Sequence, residues 1–310
     1  MKKKIYLITG CAGFIGSNLT KELYNKNELI LVDDLSSGNI KNLPHKIRRK
    51  VIKKKIDSIN NLKIKKLDGI FHLCAQASVP FSIKNFYKSS VNNLKSSLKV
   101  FEIAKKFKAP VVFASSSAVY GNLPFGDDSS DSVSIINPYA QDKLTIEHYA
   151  KLFFKIFKIS SIGFRFFNVY GPGQTTNNAY ASVIPIFIDR MIKKKKITIN
   201  GGYQTRDFVY ISDVVSILIK TMNKIKVKRS CKVFNLGTGQ SIKIDYLFKI
   251  IKLFTNTNPK FIRKRLNKFD PKKSSGTFKE MSKYLKLNKY KFVQLHDGLK
   301  QTINYFKTVN

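Results

Sequence analysis

A tyrosine and a lysine four residues apart, Tyr139 and Lys143 in the run Tyr139-Ala140-Gln141-Asp142-Lys143, put a phenol and an ammonium on one face of any helix that carries them. A phenol of ordinary pKa, about 10, is a poor base at neutral pH. A positive charge nearby lowers it, which makes Tyr139 able to take a proton from a substrate hydroxyl. Upstream, Ser115-Ser116-Ser117 closes an apolar run, where a serine hydroxyl is placed to bond the same reacting oxygen. A base that removes an alcohol proton in an oxidation needs a partner that accepts the hydride.

The chain opens with such a partner's binding signature. Thr9-Gly10-Cys11-Ala12-Gly13-Phe14-Ile15-Gly16 spaces its glycines GxxGxxG between a strand-like run and a helical one. The glycines permit a tight turn, bring backbone N–H groups of Phe14 and Ile15 against a pyrophosphate, and let the helix pack closely on the sheet. About 20 residues on, Asp33 ends the second strand-like run, where a carboxylate accepts from both hydroxyls of an adenosine ribose. A 2′-phosphate would meet that carboxylate, so the reading is NAD and not NADP. Asp34 with the Ser36-Ser37-Gly38 turn is expected to close over the same ribose, and Asp57 either reaches the adenine amine or simply caps its strand.

The elements that must position these groups follow a βαβ rhythm. Strands are expected at 5–9, 28–33, 51–56 ending at Asp57, 69–73, 110–115 and 159–166, with helices at 14–27, 87–107 and the segment carrying Tyr139 and Lys143. After Gly171-Pro172-Gly173 the pattern loosens into helices near 182–195, 212–224 and 243–254 and short strands near 197–200 and 207–209. The fold class is α/β: a Rossmann-type doubly wound parallel sheet over 1–170, with later strands interleaved, and a smaller C-terminal α/β substrate lobe over 171–310. Ligands of such sheets bind beyond the carboxyl ends of the strands, where every residue named above falls.

Composition narrows the class further. The 310 residues, 43% hydrophobic, suffice for a full core. Lysine interrupts every apolar stretch, so a soluble, unprocessed, cytoplasmic protein without membrane insertion is expected. Three cysteines, Cys11, Cys74 and Cys231, lack metal-ligand spacing and read as free buried thiols; four scattered histidines give no metal site. The formal charge of +38 raises the question of nucleic acid. Only 8 of 57 basic residues are arginine, the fork that phosphate sites exploit, and the excess is lysine beside abundant Asn and Ile, which reads as coding drift toward A and T. The Lys runs 2–4, 53–55 and 193–196 are expected as solvated faces, and a nucleic-acid partner is not expected, although a basic NAD- or RNA-binding protein on a retired enzyme scaffold stays as the alternative of a different class.

Taken together, the TGCAGFIG opening, Val32 to Gly38, His72 to Pro80, Ser115 to Gly121, Tyr139 with Lys143, Arg165 to Pro172 and Arg206 to Val209 resemble the extended short-chain dehydrogenase/reductases, specifically the NAD-dependent sugar-nucleotide epimerase/dehydratase family. The resemblance covers nearly the whole chain and weakens after about residue 260. It implies Ser116 as catalytic hydroxyl, Tyr139 as base, and Lys143 as the residue that lowers its pKa and binds the nicotinamide ribose. It implies Leu73, Ala75, Gln76, Asn93, Ser115 and Phe167 as cofactor positions, and Ser78, Asn168 and Arg206 as substrate positions, with Asn168 at the diphosphate and Arg206 at the nucleotide. The family's C-terminal arginine clamp on the diphosphate is replaced by Asp270-Pro271-Lys272-Lys273, which passes the role to Arg265, Arg263 or a lysine. Asp142 stands where the family usually has a small residue; facing away from Tyr139, it is expected as a surface charge that could also perturb Lys143.

Relatives that dehydrate or decarboxylate keep an acid after the catalytic hydroxyl, where this chain has Ser117 and Ala118. That implies an isomerase: C4 epimerisation of a UDP-hexose, whether gluco, N-acetyl or uronate, through a transient 4-keto sugar. A dehydratase or reductase on the same scaffold is the alternative. The resemblance also implies a homodimer.

Overall fold

The computed structural model describes residues 3–176, 182–225, 229–266 and 270–309. Two compact units emerge. Unit 1 comprises 1–119, 137–165 and 214–234; unit 2 comprises 120–136, 166–213 and 235–310. The boundary expected at 170/171 falls inside unit 2.

In chain order, the first part contains β1 (Ile5–Thr9), α1 (Phe14–Leu23), β2 (Glu28–Val32), a short α2 (His45–Arg48), β3 (Val51–Ile52), β4 (Gly69–His72), α3 (Val79–Lys84), α4 (Phe86–Phe107), β5 (Val111–Ser116), α5 (Pro138–Phe157) and β6 (Ser161–Phe166). There follow β7 (Asn168–Tyr170), α6 (Val183–Ile192), β8 (Ile197–Asn200), β9 (Thr205–Arg206), β10 (Phe208–Tyr210), α7 (Ile211–Ile225), β11 (Cys231–Leu236), β12 (Ile242–Lys243), α8 (Ile244–Thr255), β13 (Phe261–Lys264), α9 (Lys279–Leu285) and α10 (Leu295–Val309).

Seven strands form one sheet in the order β11-β6-β5-β4-β1-β2-β3. The β1·β2, β1·β4, β2·β3 and β4·β5 pairs are parallel. The order reverses between β1 and β4, the switch point beyond which a doubly wound sheet binds its ligand. Thr9 and His72, the last residues of these two strands, are register partners. The central strands are buried almost throughout, and on one face Leu7, Ile70, Val111 and Phe113 pack with Val100, Phe101 and Ala104 of α4 and with Ile146 and Ala150 of α5. Unit 2 holds three two-stranded sheets: β7 with β10, β9 with β12 and β8 with β13.

Two expected elements are shorter than the sequence suggested. The first helix stops at Leu23, where Asn27 N–H and Nδ2 both return to the Leu23 carbonyl. The third strand is only Val51–Ile52, so Asp57 does not end a strand; it lies in a 3-10 turn, Ile56–Ser58, and pairs with Lys95 at 3.6 Å. β3 is an edge strand with one neighbour, and Lys53, Lys54 and Lys55 leave it for solvent. The described lysines of the three Lys runs are all exposed, Lys2 lying outside the described residues. Of the three free thiols only Cys11 is fully buried; Cys74 and Cys231 are half-buried. Among the described residues no helix is long and apolar enough to cross a membrane, and no cluster of side chains is suited to hold a metal ion.

Candidate active site

The turn after β1 is built for close approach. Gly10 has φ +70°, and a Cβ there would lie 2.7 Å from the Cys74 backbone nitrogen; a Cβ on Gly16 would lie 2.0 Å from the Gly10 carbonyl. Gly13 N-caps α1, so the N–H groups of Phe14, Ile15 and Gly16 have no intrahelical carbonyl to bond. An anion is the natural partner of such a helix end, and this cradle fits the pyrophosphate of a dinucleotide. Asp33 is buried beside it, with one carboxylate oxygen accepting from Ala12 N–H (2.8 Å) and the other from Leu35 N–H (2.9 Å). A carboxylate has about four acceptor sites, so capacity remains for ribose hydroxyls. Burial pushes Asp33 above the usual carboxylate range, and those N–H bonds work against it. Asp34 accepts from both the N–H and the hydroxyl of Ser36, which closes the Ser36-Ser37-Gly38 turn.

At the switch point the polar groups form a chain whose proton positions can be deduced. Ser97 gives its hydroxyl to the Asn93 carbonyl at 2.7 Å, so His72 Nε2, 2.9 Å away, must donate to Ser97 Oγ. That leaves Nδ1 to accept from the Thr9 hydroxyl at 2.9 Å. His72 is therefore neutral, and burial, reinforced by Lys143, lowers its pKa to about 3. Asn93 is fully engaged: Oδ1 accepts from Gln76 N–H (2.8 Å), and Nδ2 donates to the Gln76 carbonyl (3.2 Å) and to Asp142 Oδ2 (3.0 Å). Gln76 accepts from Ser89 and donates to the Ser78 carbonyl, fixing the turn that contains Leu73 and Ala75. Ser78 caps α3, its hydroxyl accepting from Phe81 N–H.

α5 begins as its sequence dictates. Asn137 caps it by accepting from Ala140 N–H, and Pro138 occupies the first turn. Tyr139 N–H finds Ser82 Oγ, which seats the tyrosine at the helix start. The run Ser115-Ser116-Ser117 is now resolved by geometry. Ser115 donates to Glu147 at 2.5 Å, whereas Ser116 Oγ accepts from Ala118 N–H and is the serine hydroxyl that acts on the Tyr139 phenol, lowering its pKa. Lys143 Nζ lies 5.8 Å from the centre of the Tyr139 ring and donates to the Ala114 carbonyl at 2.8 Å.

Electrostatics here differ from expectation. Burial pushes the Tyr139 phenol above its ordinary value; the Ser116 hydrogen bond opposes this and Asp142 adds to it. The expected lowering by Lys143 is not among the effects that shift Tyr139. Burial brings Lys143 down to about 8, against the pull of Cys74, Asp142 and Glu147. Asp142 is not a surface charge: it is 3% exposed, covered by Asn93 of α4, and, three residues on from Tyr139, it lies on the same side of the helix and not away from it. Two further residues carry no assigned role in the sequence reading, Glu147 and Arg165. Glu147 takes Arg165 Nε (3.0 Å) and Nη2 (2.8 Å) on its two oxygens, tying α5 to β6 and through Ser115 to β5. The available signal was an acid eight residues after Tyr139 and four after Lys143, on the same helical face.

Within unit 2, Asn168 and Arg206 are held around Asp207. The N–H and Nδ2 of Asn168 both donate to the Asp207 carbonyl, while its fully buried carboxylate gathers Thr238 N–H, Thr238 Oγ1 and Gly239 N–H. Burial raises Asp207 to about 6 against those bonds. The Arg206 guanidinium donates to the Thr205 carbonyl and pairs with Asp270. Residues 272–274 continue as a strand-like partner of β9: Thr205 and Asp207 N–H donate to the Lys272 and Ser274 carbonyls. Arg263 is spent on Asp245 and the Gly201 carbonyl, and Arg265 is exposed. Phe167 stacks on Tyr120 with ring centres 6.4 Å apart.

Comparison with known proteins agrees with this geometry. The NAD dependent epimerase/dehydratase family matches residues 6–237. The chain is 32% identical to a putative UDP-glucose 4-epimerase of Methanocaldococcus jannaschii over 98% of this chain and 99% of that protein. Among solved structures it is similar to the UDP-N-acetylglucosamine 4-epimerase of Methanobrevibacter ruminantium in complex with UDP-N-acetylmuramic acid (TM-score 0.91, 32% identity, 100% of both chains). It is also similar to the UDP-glucose 4-epimerase of Thermotoga maritima with UDP-glucose (TM-score 0.90, 30% identity, 98% of this chain and 99% of that one). Proteins named as dehydratases and decarboxylases of nucleotide sugars are similar to it as well.

Proposed function

Since the chain belongs to the NAD dependent epimerase/dehydratase family, an enzyme family acting on nucleotide sugars, we propose that it interconverts a UDP-hexose and its C4 epimer. Bound NAD supplies the hydride acceptor and, once reduced, the donor. The cradle of Gly10, Gly13, Phe14, Ile15 and Gly16 with Asp33 is the part of this chain that holds it. Tyr139 takes the proton of the C4 hydroxyl, Ser116 bonds the same oxygen as it becomes a carbonyl, and Lys143 orients the cofactor ribose. Oxidation makes C4 planar; when the sugar turns over before re-reduction, the proton returns from Tyr139 and the opposite configuration results.

The observation that carries the choice of reaction is the turn after Ser116. Expulsion of a C6 hydroxyl requires an acid near the 4-keto sugar, and by the resemblance decarboxylating relatives keep one there too; Ser117 and Ala118 offer none, and Ala118 contributes only its N–H, to Ser116 Oγ. Sequence similarity to relatives named as epimerases points the same way. The substrate nucleotide is assigned to Asn168 and Arg206 by resemblance, with Arg265 as the exposed candidate for the diphosphate. A cytoplasmic homodimer completes the reading; the apolar side chains exposed on α4 and α5, Phe86, Tyr87, Leu152 and Ile156, support pairing through these helices.

The purified protein is expected to carry NAD and to convert UDP-glucose, UDP-N-acetylglucosamine or UDP-glucuronate to its C4 epimer without net change in reduced-nicotinamide absorbance. If none of the three yields a C4 epimer, the proposal fails; a dehydrated or decarboxylated product replaces it with the corresponding alternative.

A further inference from the structure

The cofactor-facing turn and the lysine of the reacting pair meet at one side chain that neither motif includes. Asp142 is buried between α5 and α4, with Oδ2 accepting from Asn93 Nδ2 at 3.0 Å. Because a carboxylate accepts and does not donate, it requires the NH2 edge of the Asn93 amide to face it. The amide oxygen is thereby turned toward Gln76 N–H, which it accepts at 2.8 Å, and the second amide proton reaches the Gln76 carbonyl. The Gln76 N–H and carbonyl hold the amide the same way round, and the acceptor on Asp142 takes the remaining proton of its NH2 edge. Asp142 therefore buttresses the amide that holds the 74–78 turn.

The charges around Lys143 give the same residue a second task. Asp142 and Glu147 of α5, with His72 and Cys74 at the end of β4, interact electrostatically with the ammonium; the Tyr139 ring centre lies 5.8 Å from it, its acceptor, the Ala114 carbonyl of β5, carries no charge, and Asn93 of α4 meets Asp142. Glu147 has both oxygens on the Arg165 guanidinium. Asp142 is thus the carboxylate in this group whose charge is not already shared with an arginine. Taking the epimerase reading as premise, we infer that Asp142 is a positioning residue for the reaction: its carboxylate orients Asn93 for the Gln76 turn and supplies the negative charge that balances the Lys143 ammonium. Both Tyr139 and Lys143 titrate higher with this charge beside them.

Two variants of the holoenzyme separate the tasks. D142N keeps size and an acceptor but removes the charge; D142S removes charge and reach. The pH profile of kcat/KM for C4 epimerisation of D142N is expected to move as a whole to lower pH by about half a unit or more, whichever group governs each limb, because the lost charge had raised both. The pH dependence of the NAD dissociation constant, measured by calorimetry, should shift in the same direction. D142S should show that shift and also bind NAD roughly fivefold or more weakly, since the Asn93 amide loses its partner. A D142N profile changed in height but not in position, with an unshifted NAD-binding curve, overturns the charge role. D142S binding NAD as tightly as D142N overturns the orienting role. Should the wild-type protein produce no C4 epimer, the epimerase reading falls, and the NAD-binding curves still decide the role of Asp142.

Discussion

Two ion pairs in this protein are made of the same ingredients and held in opposite ways. Glu147 and Arg165 meet through two hydrogen bonds with side chains 2% and 8% exposed, inside unit 1. Arg206 and Asp270 meet in unit 2 with the carboxylate side chain 43% exposed. A pair stripped of water on both sides behaves as a structural joint, since opening it leaves a buried charge alone. A pair with one half in water can exchange its partner at little cost. The joint fixes the helix of Tyr139 and Lys143 against two strands; the exchangeable pair surrounds the arginine assigned to the substrate nucleotide. Unit 1 thus uses its pair to fix an element, and unit 2 holds one that can be rearranged.

The comparison can be broken at several points. The largest effect is expected at the proposed base: Tyr139→Phe removes the phenol assigned as proton acceptor and should lower kcat by about 10²–10⁴-fold while the thermal melt stays near that of the wild type. Next, Glu147→Ala removes the carboxylate that holds Arg165 Nε and Nη2 and is expected to cost about 3–5 kcal/mol in denaturant unfolding. A cost near that of a surface pair would show that the site tolerates the loss and that the joint is not structural. In unit 2, Asp270→Asn should change stability by under about 1 kcal/mol yet raise KM for the nucleotide sugar several-fold with kcat little altered, because Arg206 loses its orienting partner. An unchanged KM would remove Arg206 from the substrate site.

A pH measurement sharpens the contrast further. His72 has its pKa lowered to about 3 by burial, so below an unfolded value near 6.5 the denatured chain takes up a proton that the folded ring refuses. Stability should therefore fall as pH drops from about 6.5 toward 3, with a contribution of about 1.4 kcal/mol per pH unit from this group, and His72→Gln should flatten that part of the curve. The smallest change belongs to the solvent-exposed pair Lys26 and Glu22, 3.9 Å apart on one turn; Lys26→Ala should alter stability by less than about 0.5 kcal/mol.

Much of unit 1 could be read from the chain. The glycine spacing, the Asp33 carboxylate at the end of β2, and the Asn137-Pro138 start of α5 are local instructions, since turn, cap and helical face depend on residues a few places apart. Unit 2 was less legible. Its strands run two to four residues, too short for a periodic pattern, and they pair across long separations, as β8 does with β13. Arg263 and Arg265 were equivalent candidates in sequence, and long-range pairing alone committed Arg263 to Asp245 and left Arg265 exposed.

Spacing alone puts Tyr139 and Lys143 on one helical face behind a nucleotide turn, because four residues make about one turn in any α-helix. Spacing cannot say which of Ser115, Ser116 and Ser117 meets the phenol, or that Asp142 is dry. Those outcomes were set when α5 packed between β5 and α4: Glu147 took Ser115, Ser116 was left to Tyr139, and Asn93 closed over Asp142. Residues 49 apart in the chain, Asn93 and Asp142, became hydrogen-bond partners, and a charge expected at the surface was buried by a neighbour no local rule could supply.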